Sequence, residues 1–483
     1  MIGINTHVST IEKASKAAKW STITEVSTKL ITPLIQMILA RILNVEAFGI
    51  IATISMVISF TDIFTDAGFQ KYLIQRNFKD ENEKQKFTNV AFWSNLTVSL
   101  FLWGLIIIFN EEIATLVGSP GLGIVIAIAC VQLPIMSFSS IQMALYRRNL
   151  DFKTLFYLRI ITSLIPLVVT IPLAYAGLNY WSLIIGTLSS NLLSAIVLTI
   201  NSMWKPKLFY SFKLLKEMLS FSIWSLLETL SIWLTAWVDI LIIGRFLNSY
   251  YLGIYTTSLN MVNILMTIVT TSVTTVLFAT LSRLQEDHSV FTKVFLNVHK
   301  LVSYIIFPIG VGVFLYQDLV TDIMLGEKWE EASRVIGIWA LTSVIRISMT
   351  SMYSEVYRAK GQPKISLFLQ LLDLFIIIPT CLLSVSHGFW AIVYARAIIR
   401  LDLIIPGLIV MSKLMNIRAK SLLRNLMKPF ICIFIMIVID IGLKQVSSSV
   451  YWQFTSIVIC GIIYIFIALI IDKKFIMSYV KKR

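Results

Sequence analysis

The sequence predicts an all-α polytopic membrane protein of about 14 transmembrane helices, arranged as two pseudo-symmetric six-helix lobes plus two C-terminal helices. Three observations predict it. Apolar residues make up 57% of the 483-residue chain and charged residues only 14%, with a mean hydropathy of +0.81. A soluble chain would carry roughly a quarter of its residues as charge, because its surface needs polar cover whatever the size of its core. The apolar residues gather in runs of about 20, the length of a membrane-crossing helix, not in the alternating ten-residue segments of a barrel. Finally, basic residues collect in every second loop, and a long-range repeat links the two halves.

The spans follow in order from the charged or Gly/Pro-marked breaks between apolar runs. Residues 1–19 hold Lys13, Lys16 and Lys19 and lack the apolar core of a signal peptide, so they read as a cytoplasmic N-terminal tail. Spans one to six are 20–43, 48–67, 88–109, 122–145, 154–176 and 179–201, forming an N-lobe of 20–201. The connection from Ala176 to Asn179 is so short that spans five and six must be antiparallel neighbours. A basic linker, 202–218, leads to spans seven to twelve at 219–244, 250–280, 300–317, 334–355, 365–384 and 388–411, a C-lobe of 219–411. A cytoplasmic loop, 412–425, precedes spans thirteen and fourteen, 426–443 and 452–471 within 426–471, and 472–483 is a basic tail.

Alternate loops carry 31 of the 41 basic residues, among them Lys71, Arg76, Arg147, Arg148, Lys205, Lys207, Arg358, Lys360, Lys420 and Lys473. The opposite loops hold Arg41, Arg245, Lys328, Arg334 and Lys444. The positive-inside rule then places both termini in the cytoplasm. The net charge of +15 reports orientation, which argues against a nucleic-acid partner. Cys130, Cys381, Cys432 and Cys460 lie in apolar runs, and the four histidines are scattered, so no metal site, disulfide framework or cofactor is read.

Shifted by 204 residues, the chain meets itself. Trp20-Ser21 aligns with Trp224-Ser225, and Arg41, Leu43, Asn44 and Gly49-Ile50 align with Arg245, Leu247, Asn248 and Gly253-Ile254, within 11 identities over 34 ungapped positions. Tyr146-Arg147 and Lys153 match Tyr357-Arg358 and Lys364, and Tyr180-Trp181 matches Phe389-Trp390. Shared Leu and Ile are expected between any two apolar helices; shared Arg, Asn, Trp and Gly at fixed spacing are not. Six spans per repeat give both copies the same orientation, the arrangement of rocking transporters.

Charges within the hydrocarbon are costly and face a cavity or a partner. Glu25 and Lys29 lie one turn apart on span one and can neutralise each other. Asp62 and Asp66 end span two, and Glu228 and Asp239 on span seven, eleven residues apart, return to nearly one face. Arg159 begins span five, close enough to the boundary to snorkel. Arg346, Asp373, Arg396, Arg400 and Asp402 lie deep in spans ten to twelve, with Asp373 suited to an arginine of span twelve. Two readings stay open for this set: structural ion pairs, or a water-filled cavity in which Lys29, Arg159, Arg346, Arg396 and Arg400 meet an anionic substrate. In the second reading Glu25, Asp62, Asp66, Glu228, Asp239 and Asp373 handle coupling ions. Pro33, Pro134, Pro166, Pro308, Pro379 and Pro406 fall inside spans, where proline kinks a helix or is tolerated.

Phe64-Thr65-Asp66-Ala67-Gly68 with Leu73-Ile74-Gln75-Arg76, Tyr357-Arg358 with Gly361-Gln362-Pro363-Lys364, and Phe307-Pro308 with Leu325-Gly326 and Trp329 carry a resemblance through nearly the whole chain. It resembles the bacterial oligosaccharide and lipopolysaccharide flippases, in the colanic-acid-type exporter branch of the multidrug/oligosaccharidyl-lipid/polysaccharide exporter superfamily. The resemblance implies two six-helix lobes around a central cavity in the bacterial cytoplasmic (inner) membrane. It also implies transport of undecaprenyl-diphosphate-linked oligosaccharide, beside membrane lipids, a polysaccharide polymerase and glycosyltransferases, without catalysis. Related lipid II flippases line their cavity with first-lobe arginines, where span one here offers Lys29.

Two alternatives remain at this level. A cation-coupled multidrug exporter of the same superfamily would favour an acidic cavity, against which the deep arginines speak. A membrane oligosaccharide polymerase or ligase would need a large outer loop with catalytic Arg or His, whereas the longest outer loop, 317–331, is short and acidic.

Overall fold

Backbone groups inside a bilayer have no water to bond, so an apolar chain satisfies them along its own helices. The computed structural model is 86% helical. It describes the backbone of residues 2–480 and the side chains of 16, 19–25, 27–219, 226, 229–271, 273–274, 276–278, 280–362 and 364–478. The chain divides into two units, Met1–Gly253 and Ile254–Arg483.

The first unit begins with α1 (Ile2–Ile42) and α2 (Val45–Asp66), then a short α3 (Phe69–Gln75) and α4 (Glu81–Ile108). After them come α5 (Asn110–Leu116), α6 (Gly123–Ala129), α7 (Gln132–Arg148), α8 (Phe152–Ile165), α9 (Ile171–Tyr175), α10 (Tyr180–Asn201) and α11 (Phe212–Phe246). Helix α12 (Ser249–Arg283) starts here and continues into the second unit. The second unit adds α13 (His288–Leu315), α14 (Gln317–Met324), α15 (Glu330–Arg346), α16 (Met352–Ala359), α17 (Pro363–Val385), α18 (Phe389–Ile399), α19 (Ile404–Lys413), α20 (Ala419–Lys444) and α21 (Val450–Val480). The acidic segment 317–331 is itself ordered, as α14 and a 3-10 turn at Glu327–Trp329.

Among the described residues, 13 helical stretches are long and apolar enough to cross a membrane. The difference from the sequence count falls on 388–411, where α18 and α19 are separated by a turn at 400–403. Pro406 accounts for it: lacking an N–H, it returns no bond to the Asp402 carbonyl, and its ring crowds that position. Pro134 acts in the same way on Cys130, whose carbonyl instead accepts from the Leu133 amide at 3.0 Å between α6 and α7. Pro166 opens a π-helical turn, Pro166–Thr170, and Pro172 follows it. By contrast α1, α13 and α17 run unbroken through Pro33, Pro308 and Pro379.

The internal repeat recurs in local geometry. Asn44 Oδ1 caps α2 by accepting the Ala47 amide at 3.2 Å, and 204 residues on Asn248 Oδ1 caps α12 by accepting the Tyr251 amide at 3.0 Å. Such a cap contributes about 1 kcal/mol. The turn after α7, with the Asp151 amide bonded to the Tyr146 carbonyl and Leu150 at φ 58°, returns after α16 as Gln362 bonded to Tyr357 and Gly361 at φ 69°. The two helix starts also meet. Gly49 lies against the Ser249 carbonyl and the Gly253 amide, and Gly253 lies against the Val45 carbonyl, with no room for a β-carbon at either position. Since Val45 and Ser249 are themselves repeat-equivalent, the contact is reciprocal. It places two backbones in contact where only glycine permits it.

Large apolar side chains line the outside, including Val168, Leu383, Phe375 and Ile462, each more than half exposed. In water such a surface would aggregate; in lipid it is the solvated face. In the second unit Asp472, in a kink of α21, pairs with Lys428 of α20 at 2.8 Å and with Lys300 of α13, and also accepts from Tyr304 Oη at 3.3 Å. One carboxylate thus ties the last helix to two others.

Candidate functional site

In the second unit α15 carries Trp339, Ser343 and Arg346 at i, i+4 and i+7, one stripe of the helix. Arg346 Nη2 donates to Asp373 Oδ2 of α17 at 3.3 Å, and Asp373 is almost fully buried. Arg400, at the turn between α18 and α19, lays its guanidinium 4.0 Å from the centroid of the Trp339 ring and donates from Nη2 to Ser343 Oγ at 2.7 Å. Arg396, only 5% exposed, approaches the same ring at 6.0 Å. Asp402 accepts from the Leu403 amide and lies within electrostatic reach of Asp373, Arg346 and Arg396. The helix break therefore gathers the charges. Arg400 sits at the C-terminal end of α18 and Asp402 just before the N-terminus of α19, each sign matching the local helix dipole.

A π-helical turn, Ile347–Ser351, follows Arg346 directly. The buried His299 of α13 donates from Nε2 to the Ser348 carbonyl at 2.9 Å, satisfying a group in the turn. Gly407 of α19 packs against Tyr353 and the Met349 carbonyl, so the distorted turn and the broken helix are neighbours.

The remaining candidates lie in the first unit and are dispersed. Lys29 and Glu25 are 3.8 Å apart on α1, with the Glu25 side chain 64% exposed. Asp62 accepts from Thr65 Oγ1 at 3.1 Å and lines two cavities. Asp66 closes α2 ahead of Ala67 (φ 40°) and Gly68 (φ 79°), and its Oδ1 accepts the Gln70 amide at 3.4 Å. The Asp66-Ala67-Gly68 motif thus has a geometric reason: two successive left-handed residues turn the chain into α3. Asp239 is buried, with Oδ1 accepting the amide of Ile240. Arg159 is exposed on α8, and Glu228 lies outside the described residues.

The other motif residue, Arg76, stacks on Phe87 at 4.1 Å and pairs with Glu83 at 3.0 Å and with Glu217 of α11. Burial alone would lower its pKa, but the hydrogen bonds that it donates to Glu217 and Tyr72 hold it above the ordinary arginine value. Arg148 donates to the carbonyls of Leu73 and Arg76, both at 2.7 Å, and so closes the end of α3. These arginines hold a loop together.

Sequence reasoning missed Trp339 and Ser343, which read as ordinary span residues although they support Arg400. It also missed Asp440, buried with Lys444 at 3.1 Å, and a cavity of about 330 Å³ that Glu355, Arg358 and Ser351 help to line. The i, i+4 spacing of Asp440 and Lys444 was the available signal.

Residues 38–334 match the family model described as polysaccharide biosynthesis protein. The chain is 26% identical over 397 residues to the teichuronic acid biosynthesis protein TuaB of Bacillus subtilis, covering 80% of this chain and 79% of that one. It is 22% identical over 380 residues to the lipopolysaccharide biosynthesis protein WzxC of Escherichia coli, covering 77% and 75%. Among solved structures it is similar to the lipid II flippase MurJ in an inward closed conformation, with a TM-score of 0.76 and 16% identity over 94% of this chain and 99% of that one. The family model covers well over half of the chain and the MurJ-like helical fold extends over nearly all of it, so this integral membrane protein belongs to the polysaccharide biosynthesis protein family.

Proposed function

We propose that the protein flips undecaprenyl-diphosphate-linked oligosaccharide across the bacterial cytoplasmic membrane for surface polysaccharide synthesis, as a transporter and not as an enzyme. The observation that carries this reading is the cluster of Arg346, Arg396 and Arg400 with Asp373 and Asp402. Three guanidiniums and two carboxylates are gathered inside an apolar helical unit, and the oxygens of a diphosphate are complementary to guanidinium groups. Arginine suits the task because its planar fork meets phosphate oxygens bidentately. The names of the relatives, a lipopolysaccharide and a teichuronic acid biosynthesis protein, support the same substrate class.

In this reading the lobes 20–201 and 219–411 alternate access, 426–471 adds two helices, and both termini face the cytoplasm, where basic loops accumulate. Lys29 and Arg159 are secondary contacts for the anionic substrate, and Glu25, Asp62, Asp66, Glu228, Asp239 and Asp373 are candidates for ion coupling. The test substitutes Gln for Lys29, Arg346, Arg396 and Arg400 singly and measures lipid-linked sugar reaching the outer leaflet of proteoliposomes. Loss in the three arginine variants supports the assignment. Full transport in all four overturns it.

A further inference from the structure

The charge cluster addresses only the diphosphate. In the first unit two cavities of about 290 and 330 Å³ share Ser59 and Asp62 of α2 as a common wall. Each is near the lower end of the range of about 300–1,000 Å³ found for small-molecule sites. Trp233 and Trp237 of α11, at i, i+4 on one face, line the first. Trp233 is fixed in orientation: its Nε1–H donates to Ser59 Oγ at 2.9 Å, and its ring packs on Phe60 at 4.9 Å. Beside Asp62 and a set of apolar side chains, the second cavity is lined by neutral polar groups, among them an amide pair in which Asn191 Nδ2 donates to Gln132 Oε1 at 3.0 Å.

We infer that these paired cavities are a saccharide subsite, which takes the glycan of the lipid-linked substrate; this rests on the transport reading above. A pyranose ring presents an apolar C–H face and a rim of hydroxyls. Half-buried tryptophans match the face, and a carboxylate with hydroxyl and amide neighbours matches the rim. Tryptophan beside carboxylate would also suit an organic cation. Two features favour the sugar: Lys71 lines the first cavity with Asp66, offsetting its negative charge, and Ser55, Gln132, Thr187 and Asn191 in the second are uncharged.

The test uses the full chain in nanodiscs and native mass spectrometry with two probes: synthetic undecaprenyl diphosphate, and the lipid-linked oligosaccharide fraction extracted from the membranes of its own host. Trp237→Leu should weaken the glycosylated lipid about five- to tenfold, the loss expected for one aromatic platform. Its binding of the sugar-free lipid should not change, which also reports that the variant is folded. Trp237→Phe should restore most of the difference, whereas Arg400→Gln should weaken both lipids. Equal loss of both lipids in Trp237→Leu, no loss of either, or displacement of the glycosylated lipid by tetraphenylphosphonium overturns the saccharide subsite and leaves the transport reading standing. A wild-type chain that binds neither lipid overturns both.

Discussion

Arg400 and Trp339 stack, with the guanidinium 4.0 Å from the ring centroid, and the same arginine reaches Ser343 at 2.7 Å. A planar guanidinium held against an aromatic face is fixed in orientation while keeping its full charge. Lysine has neither the plane nor the fork. Arg400→Lys should therefore lower transport about tenfold while leaving the unfolding temperature near that of the wild type, and Trp339→Leu should act in the same direction. Flux of fluorescently labelled lipid-linked sugar in proteoliposomes, with thermal unfolding as a control, measures both. Unchanged flux in Arg400→Lys would mean that the stack is only structural.

The break at 400–403 is traced to Pro406, so Pro406→Ala should let α19 extend backwards by part of a turn. Amide hydrogen exchange at 403–405 should slow, and transport should fall because Arg400 and Asp402 are moved out of the cluster. If exchange is unaltered, another constraint makes the break.

Asp472 holds Lys300 and Lys428 together, with its own side chain 9% and that of Lys428 42% exposed. Loss of one partner from a fully buried pair costs about 3–5 kcal/mol. With Lys428 partly solvated, Asp472→Asn is expected to cost about 2–3 kcal/mol, read from unfolding in detergent. Protection of α21 from proteolysis should drop in parallel. A variant as stable as wild type would remove this role.

The reciprocal contact of Gly49 and Gly253 leaves each without room for a methyl group. Gly49→Ala and Gly253→Ala should each destabilise by about 1–3 kcal/mol, the usual cost of overpacking. The two losses should not add, because either one forces the same pair of helix starts apart. Thermal unfolding of the single and double variants decides this, and full additivity would speak against a shared contact.

Hydropathy and loop charge made the membrane spans legible, and the repeat could be read because Arg41, Asn44 and Gly49 recur in register with Arg245, Asn248 and Gly253. For Asn44, Asn248 and the two glycines the structure supplies the reason in capping and backbone contact. The deep charges were legible as a set, but their partners were not. Which helices bring Arg346 to Asp373, or Arg400 to Trp339, depends on helix packing that spacing along one chain does not encode. The break in 388–411 carried a signal in Pro406, yet proline passes through other helices unbroken, as at Pro33 and Pro308. Trp233 and Trp237 were hidden for a different reason: in an apolar span a tryptophan facing a cavity and one facing lipid look alike. Asp472 was overlooked because charge at the end of a span marks a boundary and says nothing of its partner.

The Asp472 triad also has a bearing on biogenesis. Lys300 and Lys428 leave the ribosome before the carboxylate that joins them, so until α21 is made two ammonium groups on α13 and α20 lack this shared counter-charge. The charge balance of these three helices is therefore completed only when the last of them is in place.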